Sequence, residues 1–511
     1  MDKKNVKTLQ DLVRLSAAEY GEKIFLKEKN GNDISEKSFN TFWSDVRKVA
    51  GIVEKTKEQD KAVHAAVIGP TSYAWLISYF GTVCGGNTAI PLDALLPCAD
   101  ICDLLQRADV SVFFYDKRYE KMIPVIQANC PNVKTFISFD TLPALLEKAE
   151  ASVLPKVLSE NLAAIVYTSG TTGKSKGVML LHKNLIDNAM CQDNECTSDD
   201  VVLSVLPIHH IYCFTCDILL SLRYGSTLCV NDSMLRIAQN LKLFQPTIML
   251  IVPMIAETIY KQIMAASAAK PEIPVKMIAN AVFGGRLKTI YSGGAYLRPE
   301  LQKAYWDFGF DMAQGYGMTE CSPRISTADI NDKECAGDVG KIVNGCQVKI
   351  EDGEILAKSD SVMAGYYKDP DATRETLTAD GWLRTGDLGY VDDKNRIFIT
   401  GRKKNLIILS NGENVSPEEL ENKFAGVDFI SEVLVYSEDG VITAEIFPNA
   451  EYCKDMTADE IAAMFKAKVK EINKSLVSSK TIHGLRIRDV EFDKTTSKKI
   501  RRNQPIKGNR I

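Results

Sequence analysis

The sequence lacks an excess of either charge, a long apolar run and a repeated cysteine framework. Its 511 residues carry 62 basic and 66 acidic side chains, a formal charge of −4, whereas a protein that coats nucleic acid needs a clear basic excess. The longest apolar stretch, residues 247–259, is broken by Pro253 and is too short to cross a bilayer. These absences argue against a nucleic-acid partner and a transmembrane segment, and leave peripheral membrane contact open.

Targeting signals and metal-ligand spacings are also missing. The thirteen cysteines and five histidines do not combine into the spacings of a structural zinc site. An odd number of cysteines without a disulfide framework is typical of reduced thiols in a cytosolic protein. The first residues, MDKKNVKTLQDL, contain no apolar core followed by a cleavage site, so no signal peptide is predicted. We therefore expect a cytoplasmic localisation.

Short apolar runs alternate with helical patterns through the first 320 residues. Runs such as 62–69, 88–93 and 110–116 are continuously apolar and bounded by turn signals, which is typical of strands buried on both faces. This β-α alternation predicts an α/β fold with two doubly wound subdomains and mostly parallel sheets. The active loops would then lie at the carboxyl ends of the strands.

The pattern changes after Gly337, where short strands and Gly/Asp turns replace the helices up to Thr400. We interpret this stretch as a small β-barrel or an antiparallel sheet. Ser416 before Pro417 then predicts a capped helix in an α+β tail. The chain is therefore expected to form a large N-terminal domain, residues 1–400, and a smaller C-terminal domain, residues 401–511. Residues 480–511 hold ten basic and three acidic side chains, which indicates either a solvated tail or a segment that meets a polyanion.

The most informative stretch is AAIVYTSGTTGKSKGV, residues 163–178. A buried strand runs into a loop whose glycines let the backbone approach an anion closely. Its hydroxyls and two lysines, Lys174 and Lys176, suit a polyphosphate. A Walker loop needs four residues between Gly and Gly-Lys-Ser, and GTTGKS has two, so a P-loop kinase or GTPase is disfavoured. A flexible linker is the plain alternative.

The string YTSGTTGKSKGV resembles the phosphate loop of the adenylate-forming superfamily, which includes acyl-CoA synthetases, aryl-CoA ligases, luciferases and adenylation domains of peptide synthetases. Further segments resemble this family's motifs, in its order: LPIHHIY (206–212), SGGA (292–295), QGYGMTE (314–320), TGDLG (385–389), GRKKN (401–405) and DKTTSKKIRR (493–502). The strings around residues 206–225 and 401–421 are most similar to bacterial long-chain fatty acid–CoA ligases. The resemblance therefore covers most of the chain.

The resemblance implies a role for each matching residue. The residues expected to act in catalysis are His210 in the carboxylate pocket, Thr319 on phosphate, Glu320 holding Mg²⁺, and Lys499, which crosses into the active site. Lys404 is the expected hinge of a mobile C-terminal domain. The residues expected to bind ATP or AMP are Thr168, Ser169, Gly170, Thr171, Thr172, Gly173, Lys174, Lys176, Gly293, Gly294, Ala295, Gln314, Gly315, Tyr316, Gly317, Thr319, Asp387 and Arg402. Within that set Tyr316 would stack on adenine and Asp387 would bond the ribose hydroxyls.

Plain structural readings stay open beside these roles. His210 could be a capped core histidine, and Asp387 could be an ordinary turn residue. The helix CFTCDILLSLRYG, apolar except for Asp217, could line an acyl pocket or belong to the core. The tail motif departs from the family pattern, because Asp493 replaces Pro and Lys498 replaces Gly.

The resemblance implies activation of a carboxylic acid by ATP through an acyl-adenylate, with release of pyrophosphate and transfer to the thiol of coenzyme A. Mg²⁺, ATP and coenzyme A are the implied cofactor and co-substrates. Tyr212 stands where amino-acid-activating members carry an Asp, so an amino acid is disfavoured. The similarity to bacterial long-chain ligases implies a medium- or long-chain fatty acid. The alternatives are a ligase that loads an acyl carrier protein, an aryl-acid CoA ligase, and a non-catalytic acyl-adenylate binding protein.

Overall fold

The computed structural model describes residues 3–31, 33–58, 61–168, 175–191, 196–409, 413–494 and 500–510. They divide into two compact units. The first comprises Met1–Val348, Ala357–Arg384 and Asp393–Arg396, and the second comprises Lys349–Leu356, Thr385–Asp392 and Ile397–Ile511. The second unit thus takes in two short segments that precede residue 401, and the predicted division into 1–400 and 401–511 stays a prediction.

Twenty-six strands are present in the described part of the chain. Those up to residue 342 are β1 (Ile24–Asn30), β2 (Asp33–Ser38), β3 (His64–Ile68), β4 (Thr88–Leu92), β5 (Val112–Tyr115), β6 (Thr135–Ser138), β7 (Leu162–Thr168), β8 (Lys176–Leu181), β9 (Val201–Ser204), β10 (Thr227–Val230), β11 (Ile248–Ile251), β12 (Thr289–Ser292), β13 (Asp311–Gly317), β14 (Arg324–Thr327) and β15 (Lys341–Ile342). Those that follow are β16 (Gln347–Glu351), β17 (Glu354–Lys358), β18 (Gly365–Tyr366), β19 (Leu383–Val391), β20 (Ile397–Arg402), β21 (Ile407–Ile408), β22 (Asn414–Val415), β23 (Ile430–Glu438), β24 (Val441–Pro448), β25 (Gly484–Ile487) and β26 (Asn509–Arg510).

The α-helices alternate with the strands through the first unit. They are α1 (Leu9–Tyr20), α2 (Phe39–Glu54), α3 (Tyr73–Cys84), α4 (Cys98–Arg107), α5 (Ile123–Asn129), α6 (Leu142–Lys148), α7 (His182–Met190), α8 (Ile211–Cys213), α9 (Leu220–Tyr224), α10 (Ile237–Phe244), α11 (Pro253–Ala269), α12 (Val275–Val282), α13 (Pro299–Phe308), α14 (Pro370–Thr376), α15 (Pro417–Glu421), α16 (Ala450–Cys453) and α17 (Ala458–Asn473). A π-helix, Phe214–Leu219, joins α8 to α9. Within the residues that are described, no helix combines the length and the apolar character needed to cross a membrane.

Two large sheets organise the first unit. One has seven strands in the order β18-β8-β7-β4-β3-β5-β6, and the other has nine in the order β15-β14-β13-β12-β11-β9-β10-β1-β2. Neighbours from β13 through β12, β11, β9 and β10 to β1 are parallel. Strands β4, β5 and β11 are buried throughout, because helices cover both faces of such sheets. The predicted α/β fold with parallel sheets is confirmed.

The helix that could have lined an acyl pocket packs instead as core. Every side chain from Phe214 to Arg223 is buried, and the Phe214 ring lies 4.4 Å from Tyr79 and 5.6 Å from Phe80 of α3. Cys213 and Cys216, a Cys-x-x-Cys pair, lie in this segment. Burial raises the pKa of Cys216 to about 12 and that of Cys213 well above its ordinary value, so both are inert protonated thiols.

The second unit contains a four-stranded sheet, β23-β24-β25-β26, packed against α17. Residues from Gly337 to Thr400, predicted as a small barrel or antiparallel sheet, contribute a four-stranded sheet in the order β16-β17-β19-β20. The predicted cap of α15 is confirmed, because the Ser416 hydroxyl accepts a hydrogen bond from the Glu419 amide and Pro417 occupies the first helical position.

Half of the basic residues of the C-terminal segment are paired inside the second unit. Five of the ten form ion pairs with glutamates from earlier in that unit: Lys480–Glu419, Arg486–Glu438, Arg488–Glu445, Lys494–Glu432 and Arg502–Glu421. Neutralised cations attract a polyanion weakly. The fold therefore neutralises part of the local charge excess of the sequence.

Candidate active site

The family-like motifs of the first unit meet the ends of its sheet strands. Strand β9 ends at Ser204, shortly before His210, and β12 ends at Ser292, directly before Gly293, Gly294 and Ala295. Strand β13 itself contains Gln314, Gly315, Tyr316 and Gly317. Because β9, β12 and β13 are parallel, their carboxyl ends face the same edge of the nine-stranded sheet, where ligands of open α/β sheets bind.

Part of the expected phosphate loop lies outside the residues that the structure describes. Ser169, Gly170, Thr171, Thr172, Gly173 and Lys174 lie outside the described residues, as do Lys498 and Lys499. The two residues that flank the loop are described. Thr168 ends β7 and pairs with Lys176 at the start of β8, so these two antiparallel strands form a β-hairpin.

A carboxylate, a phenol and an ammonium group lie together beside this hairpin. Glu320, in a one-turn 3₁₀-helix, accepts a 2.8 Å hydrogen bond at Oε1 from the Tyr366 hydroxyl. The Lys176 ammonium lies 4.9 Å from the centre of the Tyr366 ring, within the range of a cation–π contact. Burial, followed by the Glu320 charge, raises the pKa of Tyr366, so the phenol stays protonated and donates.

Glu320 fits the role of a magnesium ligand. Its side chain is 9% exposed, and within the described part of the chain its second oxygen accepts no hydrogen bond. Mg²⁺ prefers hard oxygen ligands and is usually shared between one or two carboxylates and substrate phosphates. The described residues contain no group of three or more ligating side chains that could hold a metal alone. A metal here would therefore depend on phosphate oxygens of a nucleotide.

The backbone of the QGYGMTE segment is held by close packing at Gly317. A β-carbon at this position would lie 1.9 Å from the carbonyl oxygen of Pro323, so only glycine allows the approach of β13 to β14. The preceding residue, Tyr316, is largely buried. Thr319 and Glu320 follow in the 3₁₀-helix, which places the expected phosphate and metal residues at one turn.

His210 is the N-cap residue of helix α8 and lies against a second histidine. The His209 and His210 rings are 4.1 Å apart, and His209 Nε2 lies 3.7 Å from an oxygen of Asp93. Burial and then His210 lower the pKa of His209 to about 3, despite the opposing effect of Asp93. His209 is therefore neutral at physiological pH, and the contact with Asp93 is not an ion pair. The sequence alone did not single out this supporting residue.

The SGGA loop packs against an aromatic ring of the LPIHHIY segment. A β-carbon on Gly293 would lie 3.0 Å from the Tyr212 ring, and the Tyr212 hydroxyl donates a 3.3 Å hydrogen bond to the Tyr291 carbonyl. Gly294 has φ +78°, a conformation that glycine adopts without strain. Two loops that the sequence assigned to the acid and the nucleotide are thus in direct contact.

In the second unit, two expected nucleotide residues form an ion pair. Arg402 Nε lies 2.6 Å from Asp387 Oδ1, since β19 and β20 pair at these residues. Asp387 is 4% exposed and Arg402 is 41% exposed. Glu354 holds the turn before Asp387 by accepting from the Gly386 amide, and it also pairs with Lys403. Glu354, a buried acid at the start of β17, was not singled out by the sequence.

Lys404, the expected hinge, borders a cavity of about 470 Å³ that is also lined by Arg502. Burial and then the neighbouring Arg402 charge lower the pKa of Lys404.

The structure describes the residues on both sides of the segment that carries Lys499. Lys494 bridges to Ile500, and Arg502 lies 2.5 Å from Glu421 and 3.1 Å from Glu418 of α15. These contacts hold the residues on either side of 495–499.

Comparisons with known proteins match this organisation. The profile described as AMP-binding enzyme matches residues 13–367, and the profile described as AMP-binding enzyme C-terminal domain matches residues 404–508. The chain is 27% identical over 501 residues to long-chain-fatty-acid–CoA ligase FadD15 of Mycobacterium tuberculosis, covering 84% of this chain and 83% of the relative. It is 32% identical over 406 residues to 4-coumarate–CoA ligase of Vanilla planifolia, covering 71% and 68%.

Solved structures share the architecture. ATP-bound MatB from Rhodopseudomonas palustris superposes with a TM-score of 0.81 at 22% identity, covering 97% of this chain and 98% of that one. O-succinylbenzoate coenzyme A synthetase (MenE) of Bacillus subtilis, in complex with ATP and magnesium ion, gives 0.79 at 23% identity, covering 96% and 98%. At these identities the likeness establishes the fold, with its large N-terminal and small C-terminal domains.

Proposed function

The chain belongs to the AMP-binding enzyme family, whose model matches residues 13–367, and from that premise we propose that it joins a fatty acid to coenzyme A at the expense of ATP. Its activity class is that of an AMP-forming acid–thiol ligase. The observation that carries the proposal is the meeting of Lys176, Tyr366 and Glu320 beside the hairpin of the phosphate loop. That meeting supplies a cation and a metal-ligating oxygen for a triphosphate.

The proposed first step forms a bond between a carboxylate oxygen of the acid and the α-phosphorus of ATP. The bond from that phosphorus to the β-phosphate oxygen breaks, and pyrophosphate leaves. Because two anions must meet, the site has to supply positive charge that is already in place. Lys176 supports this need from the described residues, and Lys499 is the proposed second cation. Mg²⁺ held by Glu320 would neutralise phosphate charge when bound.

The second step forms a bond from the coenzyme A sulfur to the acyl carbon and releases AMP. Asp387 and Arg402 are the proposed partners of the ribose and phosphate. The Arg402 guanidinium is exposed enough to turn toward an anion, while the buried Asp387 is fixed. Lys404 is the proposed hinge that withdraws Lys499 after adenylation and admits the thiol.

The proposed acid is a medium- or long-chain fatty acid. Support comes from the apolar surroundings of His210, where Leu206, Ile208 and Ile211 are buried, and from the likeness to FadD15. An aryl acid is the second candidate. The Tyr212 ring against Gly293 favours it, since a flat acid could stack there, and the 4-coumarate–CoA ligase relative agrees.

The test is acid-dependent release of pyrophosphate with ATP and Mg²⁺, measured with and without coenzyme A. The panel runs from acetate to palmitate and includes benzoate, 4-coumarate and several amino acids. Release that turns over with palmitate or a shorter fatty acid, and only when coenzyme A is present, supports the proposal. Turnover with aryl acids alone would show that the substrate is an aryl acid and not a fatty acid.

Two further outcomes separate the remaining alternatives. The enzyme could release one equivalent of pyrophosphate and fail to turn over with coenzyme A. If a holo acyl carrier protein then restores multiple turnover, the acceptor is a protein thiol. Absence of release with every acid would favour a protein that binds but does not convert an acyl-adenylate. Glu320→Gln, compared with the exposed Glu334→Gln, controls for release that does not come from this site.

A further inference from the structure

Arg107, the last residue of helix α4, contacts both sides of the β7–β8 hairpin. Its Nη2 donates a 2.5 Å hydrogen bond to the carbonyl oxygen of Ser175, the residue directly before β8. The guanidinium carbon lies 5.3 Å from the centre of the Tyr167 ring in β7, within the range of a cation–π contact. Arg107 and Ser175 are 68 residues apart in the sequence, so no local pattern predicts their contact.

A third contact holds the guanidinium in one orientation. Its Nη1 lies 3.1 Å from an oxygen of Asp103, one helical turn earlier in α4. A planar guanidinium can pair with a carboxylate, donate to a carbonyl and face an aromatic ring at the same time, whereas a lysine ammonium is a single point of charge. Burial raises the pKa of Tyr167 to about 12, despite the opposing effect of Arg107, so the ring stays neutral and its contact with Arg107 is not an ion pair.

Helix α4 gives this arginine a firm base. Ile101, Leu104 and Leu105 of α4 are buried in the same core as Ile165 of β7, and such cores are closely packed. Arg107 stands in the last turn of the helix, where the helix dipole favours a cation. The side chain therefore reaches the hairpin from a fixed part of the core.

The hydrogen bond to Ser175 restrains the residue that follows it. The Ser175 carbonyl and the Lys176 amide belong to one planar peptide unit, so fixing the carbonyl fixes the direction in which Lys176 leaves it. Lys176 pairs with Thr168 across the hairpin, and its ammonium lies 4.9 Å from the centre of the Tyr366 ring. Arg107 thus restrains the backbone from which Lys176 reaches Tyr366.

We propose that Arg107 is a positioning residue of the ATP site, which holds the residues on either side of 169–174 in place and aligns Lys176 for the β- and γ-phosphates. It acts through the hairpin and does not touch the nucleotide. The inference rests on the proposed function, because Lys176 has phosphates to meet only if a triphosphate binds beside Glu320. Mg²⁺ held by Glu320 would be shared with the same phosphates.

The test compares the binding of ATP and of AMP to the full chain, measured by calorimetry in the presence of Mg²⁺. Arg107→Ala should weaken ATP binding on the order of tenfold, the effect typical of losing one hydrogen bond from a charged donor. AMP binding should be unchanged, because AMP lacks the two phosphates that Lys176 would meet. In turnover, the KM for ATP should rise by the same factor, while the KM for the acid stays as it is.

Two further variants separate positioning from charge. Arg107→Lys keeps the charge but loses the planar fork, so it should recover only part of the ATP affinity. The matched control is Arg118→Ala, which removes the same charge from an arginine that pairs with Asp116 at 2.9 Å. This control should bind both nucleotides as the unmodified chain does.

Four outcomes would overturn the proposal. Equal ATP affinity in Arg107→Ala and in the unmodified chain would mean that the contacts do not position the site, and equal weakening of ATP and AMP would show a general structural role. The same loss of ATP affinity in Arg118→Ala would assign the effect to net charge. These three results leave the proposed function standing, whereas failure of the unmodified chain to bind ATP would remove the proposed function as well. If Arg107→Ala does not fold, Arg107→Lys compared with the unmodified chain decides between the same outcomes.

Discussion

The hydroxyl of Tyr366 donates a 2.8 Å hydrogen bond to Oε1 of Glu320, across 46 residues of sequence. Two backbone contacts fix the pair. Strand β18 pairs Tyr366 with Val178 of β8, and the Met363 amide donates to the Glu320 carbonyl. The bond therefore links the hairpin of the phosphate loop to the proposed metal ligand and holds the carboxylate in one orientation.

Replacement of Tyr366 by Phe should impair the metal-dependent step. The hydrogen bond to a charged acceptor is worth about 1.5–3 kcal/mol, so kcat/KM for adenylation should fall on the order of tenfold to a hundredfold. The Mg²⁺ concentration at half-maximal rate should rise, because the freed carboxylate no longer points to the metal. Pyrophosphate release measured over a Mg²⁺ titration checks both effects.

The adjacent tyrosine gives a matched control. Tyr367 donates to Asp109 at 2.6 Å on an exposed part of the first unit, so Tyr367→Phe should leave adenylation and its Mg²⁺ dependence unchanged. If Tyr366→Phe lowers the melting temperature but keeps the original Mg²⁺ titration, the hydrogen bond is only structural.

Gly317→Ala should disrupt the nucleotide segment. The added methyl would lie 1.9 Å from the Pro323 carbonyl oxygen, and relief of the clash requires β13 and β14 to separate. Overpacking of this kind costs about 1–3 kcal/mol and would displace Tyr316 and Thr319. We expect a lower melting temperature and the loss of ATP binding, measured by calorimetry. Gly315→Ala is the comparison, because its methyl would lie 3.6 Å from the nearest atom; equal damage from both changes would contradict the role given to Gly317.

Lys499→Ala should separate the two half-reactions. Loss of one preorganised cation typically costs about 10²–10³ in rate, so acid-dependent pyrophosphate release should fall by this factor. Thioester formation from a supplied acyl-adenylate and coenzyme A should persist, since pyrophosphate no longer has to leave. Lys498→Ala, next to it in the sequence, should keep both steps. Equal loss of both half-reactions in Lys499→Ala would refute the assignment.

The sequence predicted where the strands lie better than it predicted which motif segments contact one another. Continuous apolar runs such as 88–93 and 110–116 became buried strands because their composition allows no other environment. Motif spacing assigned Glu320 and Lys176 to nucleotide-binding segments, and these assignments stay predictions; Glu320 lies in a 3₁₀-helix and Lys176 begins β8. Their meeting at Tyr366 depends on the register of β18 against β8, which no local pattern encodes.

Other contacts that the sequence did not predict also join residues distant along the chain. Arg488 and Glu445 are 43 residues apart in the sequence and form a buried ion pair, so the positive tail of the sequence is neutralised in part by the fold. The plain reading of the helix at residues 213–225 as core was right, because its aromatic partners come from α3. His209 and Glu354 act through neighbours distant in sequence, and residue type alone does not reveal such support.

Asp217→Asn should change how stability depends on pH. Asp217 lies in the π-helix and is fully buried. Ser204 Oγ donates to its Oδ2 at 2.9 Å, and Oδ1 has no hydrogen-bond partner among the described residues. Burial raises the pKa of Asp217 from 3.8 to about 7. The ionised carboxylate is therefore the unfavourable form in the core.

The sign follows from proton linkage. Between about pH 4 and pH 7 the folded chain keeps a proton on Asp217 that the unfolded chain releases, so this group's contribution to stability falls as pH rises, by about 1.4 kcal/mol per pH unit. The asparagine of the variant cannot ionise, so the melting temperature of the variant relative to the unmodified chain should rise from pH 5 to pH 7. His182 and His209, whose pKa values are lowered to about 4 and about 3, act in the opposite direction but cancel in the difference. A constant difference for Asp217→Asn would mean that this carboxyl is ionised in the folded chain throughout that range.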